Sequence, residues 1–362
     1  MRFAPVRHMA WAKQVQLIAP VRLNLSTSAV PTPTLEEIGG LPSPFPMTAN
    51  NAYGHPGILD FLSGRYGLPS DCFLPVSGTS LGNFLVCAAC VQPGQRVVME
   101  TPVYEPLLRI AENMDAKVAF VRRRFEDGWK LDLQALAGAC AGGCALVMLT
   151  NLHNPSGAGM DEATVREAAR IAADAGATLL VDEVYLDSAF AMTPRPKPAA
   201  TLAENAVSTA SWTKSYGMGT FRSGWIAASA QMILRLREVR DSVDVSNPLP
   251  ADQLALQAWR RREALLALSE HRFRENWAVM AAWFKAHPAW RCTTPGGGFV
   301  CFPKVPEGVD SPGLLQRLLE RHGCAVVPGE FFREPGHIRI GFGCERAELE
   351  EGLAALALEA AK

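Results

Sequence analysis

From Leu74 onward, short apolar runs alternate with alanine- and leucine-rich stretches of helical period. Arg96–Glu100, Lys117–Val121, Cys144–Thr150, Thr178–Asp182, Val207–Ala210 and Gly224–Ala228 suit strands buried on both faces. Gly82–Val91, Glu105–Met114, Leu131–Ala139 and Asp161–Ala175 read as the helices between them. The alternation predicts an α/β fold whose mostly parallel sheet carries helices on both faces. Ligands of such sheets collect at the carboxyl ends of the strands. Beyond Ala230 the pattern turns to longer helices, Met232–Val243, Ala251–Leu268 and His271–His287. A smaller α+β unit follows: strand Gly298–Phe302, helix Ser311–His322, strands Ala325–Val327 and His337–Phe342, and a closing helix Arg346–Ala361. Residues 1–50, punctuated by Pro31, Pro33, Pro42, Pro44 and Pro46, predict an irregular, extended path over a surface. The turn-forming NAYGHPG around Tyr53 leads into a short helix ending at Tyr66.

A chain of 362 residues suggests about two domains. A hydrophobic share of 48% with 20% charged residues is that of a globular protein. The net charge of −1 gives no footprint for nucleic acid or an anionic membrane. The apolar runs stay short of the ~18 residues of a membrane span, and Arg2, Arg7 and Lys13 interrupt any signal-like segment. Cys87 and Cys90 form the CxxC of LGNFLVCAACV, an apolar helix without a second pair to complete a zinc site. The nine cysteines therefore read as free thiols, no metal site is expected, and a cytoplasmic location follows as an expectation.

Candidate chemistry centres on Ser208–Trp225, which holds Lys214 and Arg222 among small, hydroxylic and aromatic residues with no acid. A solvated lysine is usually found among other charges. This one is either a plain loop lysine or an amine put to use beside anion-binding groups. Ser77-Gly78-Thr79-Ser80 precedes an apolar helix, where it serves as a cap or as a seat for an anion. Tyr104 and Asn154-Pro155-Ser156-Gly157 follow strands, as core aromatic or stacking platform and as turn or polar contact. Asp182 ends the ATLLV strand, where a buried acid needs a partner, and Tyr185 lies three residues on. Alternation in HIRIGFG turns Arg339 away from Ile338 and Ile340, to fork a carboxylate or to close an ion pair.

Taken in order, Asn-Pro-x-Gly, Asp-x-x-Tyr, Ser-x-x-Lys with an arginine eight residues on, and a late Arg-Ile strand resemble the class I/II aminotransferase superfamily of fold-type I pyridoxal-phosphate enzymes, from about Leu25 to the C-terminus. The resemblance implies a large domain, residues 46–240, with a mostly parallel, seven-stranded-type sheet. It implies a smaller α+β domain, 241–362, joined by the segment 1–45. It implies pyridoxal 5'-phosphate held as a Schiff base on Lys214, with Asp182 on the pyridine nitrogen and Tyr185 and Asn154 on the ring hydroxyl. Tyr104 would stack on the ring, and Gly78, Thr79, Ser80, Ser211 and Arg222 would hold the phosphate. Tyr53 would reach the phosphate of a second subunit in a homodimer with composite sites. Arg339, with Asn154 and the backbone near Ala29, would clamp the substrate carboxylate.

The activity implied is transamination between an L-α-amino acid and a 2-oxo acid. A lyase, decarboxylase or cyclising synthase on the same residues is the alternative, and a non-catalytic sensor module is a further class. Thr220 and Ala29 stand where many members carry glycine, and no basic residue lies near Asn247–Pro248, which argues against a dedicated aspartate enzyme.

Overall fold

A computed structural model describes residues 3–18 and 21–362; Arg2 lies outside them. Its centre is a seven-stranded sheet in the order β2-β8-β7-β6-β5-β3-β4. The strands are β2 (Phe73–Val76), β3 (Arg96–Thr101), β4 (Lys117–Arg122), β5 (Leu146–Thr150), β6 (Thr178–Asp182), β7 (Ala206–Ser211) and β8 (Gly224–Ala227). Only β8 runs against its neighbours β2 and β7. Helices α3 (Thr79–Cys90), α4 (Glu105–Asn113), α5 (Leu133–Cys140), α6 (Glu162–Asp174) and α7 (Ala230–Asp241) belong to this unit. Two apolar clusters sandwich the sheet. Val76, Met99, Met148, Leu180 and Ile226 face one, and Val98, Val147, Leu149, Leu179 and Val181 face the other. Successive residues of β5 and β6 thus bury on opposite faces, so these strands read as continuous apolar runs.

The short strand β1 (Leu23–Asn24) pairs in parallel with β10 (Cys324–Ala325). A second small sheet joins β11 (Val327–Pro328), β12 (Ile338–Gly341) and β9 (Val300–Cys301) in antiparallel fashion. Helices α10 (Ser311–His322) and α11 (Arg346–Ala360) pack with these strands. Helix α2 (Pro56–Tyr66) starts with the His55 side chain accepting from Gly57 N and stops at Gly67. Helices α8 (Leu249–Trp259) and α9 (Arg262–Ala286) link the two units.

Three expectations are corrected. The first fifty residues are not all irregular, because Arg7–Ile18 is a helix, α1. Its own sequence is weakly patterned, and it is fixed from outside: the His8 backbone N–H donates to Glu105 Oε2 at 2.6 Å, and Trp11 packs with Phe331. Strand β2 stands where no strand is expected, since FLPV is short and contains a proline; Pro75 lies on an edge strand, where that residue is tolerated. The break between the two long helices falls at Arg260–Arg261 and not near Ser269, because Leu265 and Leu266 belong to the core face of the second helix.

Candidate active site

The carboxyl ends of β2, β3, β5, β6 and β7 open on one cavity of about 320 Å³. Thr79, Ser80, Tyr104, Asn154, Asp182, Tyr185, Ser211, Lys214, Arg222 and Arg339 all line it, as the strand-end reading expects. Gly78 lies just behind the wall, Ala29 is replaced at the surface by Ser26, Thr27 and Ser28, and Tyr53 lies outside the cavity of its own chain.

Lys214 follows β7 and turns inward, where its Nζ donates to Ser28 Oγ at 2.9 Å. Burial and the positive charge of Arg339 push its pKa down to about 8, with the Asp182 charge partly opposing. Asp182 ends β6 fully within the protein. Its Oδ2 accepts from Asn83 Nδ2 at 2.8 Å and its Oδ1 from Val184 N at 3.1 Å. Burial raises its pKa to about 6 against these two hydrogen bonds. Asn83 is held in turn by Thr209 Oγ1, which donates to its Oδ1 at 2.6 Å. It lies one turn beyond Thr79 on α3, so the same helix face serves both residues.

Helix α3 begins at Gly78, which offers no side-chain cap; Leu81 N and Gly82 N donate to Gly78 O, and the Thr79 and Ser80 N–H groups have no partner among the described residues and are left for an anion. Gly78 has φ +89°, and a Cβ there would collide with the Arg222 guanidinium. The arginine head can shift, so it is the positive φ that favours glycine here. Arg222 itself adopts a left-handed φ of 51°, an uncommon conformation for arginine. Its Nη1 donates to Gly219 O and its Nη2 to Ser77 O, each at 3.1 Å. The Thr79 Oγ1 and Tyr185 Oη atoms are buried without a hydrogen-bond partner among the described residues.

Arg339 lies on β12 between Ile338 and Ile340, both fully buried in the core, while its own side chain turns into the cavity. Its Nη1 donates to Asn154 Oδ1 at 3.1 Å and its Nη2 to Ser26 O at 2.9 Å, and its Nε has no partner among the described residues. Behind Asn154 runs a buried network. Glu100 Oε1 accepts from Thr150 N at 2.7 Å and from Thr150 Oγ1 at 2.6 Å, and its Oε2 accepts from Arg123 Nε at 2.8 Å. Thr150 Oγ1 accepts from Asn154 N at 3.2 Å.

Sequence reasoning missed Asn83, Ser28, Glu100 and Arg123, and also His8, Met9, Trp11 and Ala12 of α1, which close the cavity. Asn83 had a signal, being the one amide inside the apolar stretch LGNFLVCAACV. Charge pairing between Glu100 on β3 and Arg123 just past β4 leaves none in one sequence.

A buried amine, a buried acid, a free helix N-terminus and unpartnered hydroxyls fit a phosphorylated aldehyde with a pyridine ring. Residues 61–356 match the model of the family "Aminotransferase class I and II". Capreomycidine synthase of Streptomyces vinaceus is 32% identical over 292 residues, 80% of this chain and 75% of that protein. An arginine–pyruvate transaminase of Pseudomonas aeruginosa is 26% identical over 293 residues, 79% of this chain and 74% of its own. Among solved structures, a PLP-dependent aminotransferase of Streptococcus suis superposes with a TM-score of 0.91 at 26% identity, over 99% of this chain and 98% of that one. The PLP-dependent cyclase OrfR does so with a TM-score of 0.88 at 26% identity, over 99% and 97%. The fold is that of a fold-type I enzyme dependent on pyridoxal phosphate. The chain belongs to the class I and II aminotransferase family.

Proposed function

We propose that the protein is an aminotransferase that moves the amino group of an L-α-amino acid to a 2-oxo acid. The observation that carries this reading is the Lys214 amine, buried beside Asp182 and Arg339 in one cavity with its pKa pushed down to about 8. In this reading Lys214 would hold the cofactor through its amine and Asp182 would pair with the pyridine nitrogen. Tyr185 and Asn154 meet the ring hydroxyl, and Tyr104 stacks on the ring. Gly78, Thr79, Ser80, Ser211 and Arg222 hold the phosphate. When bound, the cofactor supplies an electron sink for the pair left behind when a bond to the substrate Cα breaks.

The protein's own residues supply the rest. Arg339 forks the substrate carboxylate, with Asn154 and the backbone near Ala29, and so fixes which Cα bond faces Lys214. Lys214, as a neutral amine facing that bond, would take the Cα proton and return it. An alternating cycle results, with the 2-oxo product leaving before the second substrate enters. Residues 46–240 and 241–362, with 1–45 attached to the latter, are the proposed domains, in a homodimer where Tyr53 reaches the partner's phosphate site.

A cyclising or eliminating enzyme is the second reading. It is favoured by the 32% identity to capreomycidine synthase and by the fold shared with OrfR. The same lysine, acid and arginine serve both outcomes. A panel of amino acids with 2-oxoglutarate or pyruvate separates them. Product that forms only with the acceptor present is expected; turnover with no acceptor, or release of ammonia without one, overturns the aminotransferase reading in favour of the second.

A further inference from the structure

Helix α3 buries one amide, Asn83, which is 3% exposed. Burying an amide costs free energy that an apolar side chain does not, unless hydrogen bonds offset it. Among the described residues the Asn83 side chain makes two hydrogen bonds, one to β6 and one to β7. Its Nδ2 donates to Asp182 Oδ2 at 2.8 Å, and its Oδ1 accepts from Thr209 Oγ1 at 2.6 Å. Thr209 is buried and stands in register beside Asp182 across the two strands. A hydroxyl has one hydrogen, and Thr209 commits it to Oδ1, which turns the N–H side of the amide towards Asp182. The helix lies close against β7 at this point: a Cβ on Gly82 would meet Thr209 Cγ2 at 3.3 Å.

We infer that Asn83, oriented by Thr209, is a positioning residue of the reaction, which holds the Asp182 carboxylate as an anion in one fixed orientation. The inference rests on the proposed function, in which Asp182 pairs with the pyridine nitrogen.

The surroundings of Asp182 leave this task to neutral donors. The Lys214 charge favours its anion and the Glu100 charge opposes it, and Tyr104, Tyr185 and Glu183 lie near enough to feel its charge. None of these side chains hydrogen-bonds the carboxylate among the described residues. Burial raises the pKa of Asp182 to about 6, and the hydrogen bonds from Asn83 and from Val184 N act against that rise. The Val184 N–H comes with the backbone turn after β6, whereas the Asn83 donor depends on one side chain and its lock. A neutral carboxyl would no longer favour a protonated ring nitrogen. Thr79 and Ser80 offer their N–H groups to an anion one turn earlier on the same helix. One element thus serves both the phosphate seat and the acid.

The test measures the binding of deoxypyridoxine phosphate to the full-length, cofactor-free protein between pH ~5 and ~9. This probe keeps the ring nitrogen and the phosphate but has no aldehyde, so the Lys214 amine does not enter the reading. Asn83→Leu removes the donor at similar volume. Its Kd relative to wild type should stay within about threefold above pH ~8, where Asp182 is ionised before the probe arrives, and rise to about tenfold or more below pH ~6, where binding must expel the Asp182 proton. Thr209→Val should show the same pH dependence at about threefold, and Thr209→Ser, which keeps the hydroxyl, should match the wild type. An Asn83→Leu protein that binds as the wild type does, or is weakened equally at every pH, overturns the inference. So does a Thr209→Val protein whose pH dependence matches that of Thr209→Ser. Should Asn83→Leu fail to fold, the Thr209 pair decides. Asp182→Asn is measured first: if it binds the probe as tightly as the wild type, the proposed role of Asp182 falls and the inference with it. A loss in Asp182→Asn with none in Asn83→Leu overturns the inference alone.

Discussion

At Asp182 the carboxylate is buried, and the hydrogen bonds it accepts come from an amide and a backbone N–H, both neutral donors. Its carboxyl titrates at 3.8 ordinarily and at about 6 in the folded protein. Between those values the folded state holds a proton that the unfolded state has released, so stability falls as pH rises through this window. Above it a cost of about 3 kcal/mol persists in the cofactor-free protein. Cofactor-free Asp182→Asn is therefore expected to be about 1–3 kcal/mol more stable than the wild type near pH ~8. That gain should vanish below pH ~4 in denaturant titrations, while cofactor affinity is lost at every pH. Lys214 shows the converse case. Its amine, lowered to about 8, is a nucleophile only when neutral. The rate at which apoprotein takes up pyridoxal phosphate should rise about tenfold per pH unit below pH ~8 and level off above it. A rate that keeps rising to pH ~10 would mean an ordinary, solvated lysine.

Among the elements, β3, β5 and β6 were legible because strands buried on both faces must be apolar throughout, and their polar ends then stand out. Asp182, Asn154 and Tyr104 were found that way. Helix α1 was not legible, since its register is set by Glu105 and Phe331, which lie far along the chain. The partners of the visible residues were also hidden: nothing local marks Arg123 as the support of Glu100, nor Ser28 as the partner of Lys214. Two predictions belong here. Arg123→Met removes the ion-pair partner of Glu100 in a site where the two side chains are 0% and 2% exposed. It should cost about 3–5 kcal/mol in denaturant unfolding. A loss under ~1 kcal/mol would show that the network is not under load. Removing residues 1–20 should leave the imine absorbance in place yet raise KM for the amino acid by roughly tenfold or more, because α1 supplies cavity wall and no cofactor contact in the proposed roles. Unchanged KM would put α1 outside the substrate path.

For the whole molecule, the seven-stranded sheet brings Lys214, Asp182 and the start of α3 to one cavity, and β12 of the smaller sheet adds Arg339 to its lining. The proposed homodimer gives Tyr53 its role. It is 39% exposed, its Oη donates to Asp241 Oδ2 at 3.1 Å, and the Arg237 guanidinium lies 4.7 Å over its ring. It thus stands outside its own cavity on a cationic, polar surface. Light scattering is expected to give the mass of two chains, and Tyr53→Phe to weaken cofactor affinity roughly tenfold without lowering the melting temperature; a fully active monomer contradicts the composite site. The central claim is that one amine, that of Lys214, carries the cofactor. Borohydride reduction of the holoenzyme followed by peptide mapping tests it directly. The account predicts the pyridoxyl adduct on the peptide containing Lys214 and its disappearance in Lys214→Ala, together with turnover. An adduct on any other lysine, or a fully active Lys214→Ala, contradicts it.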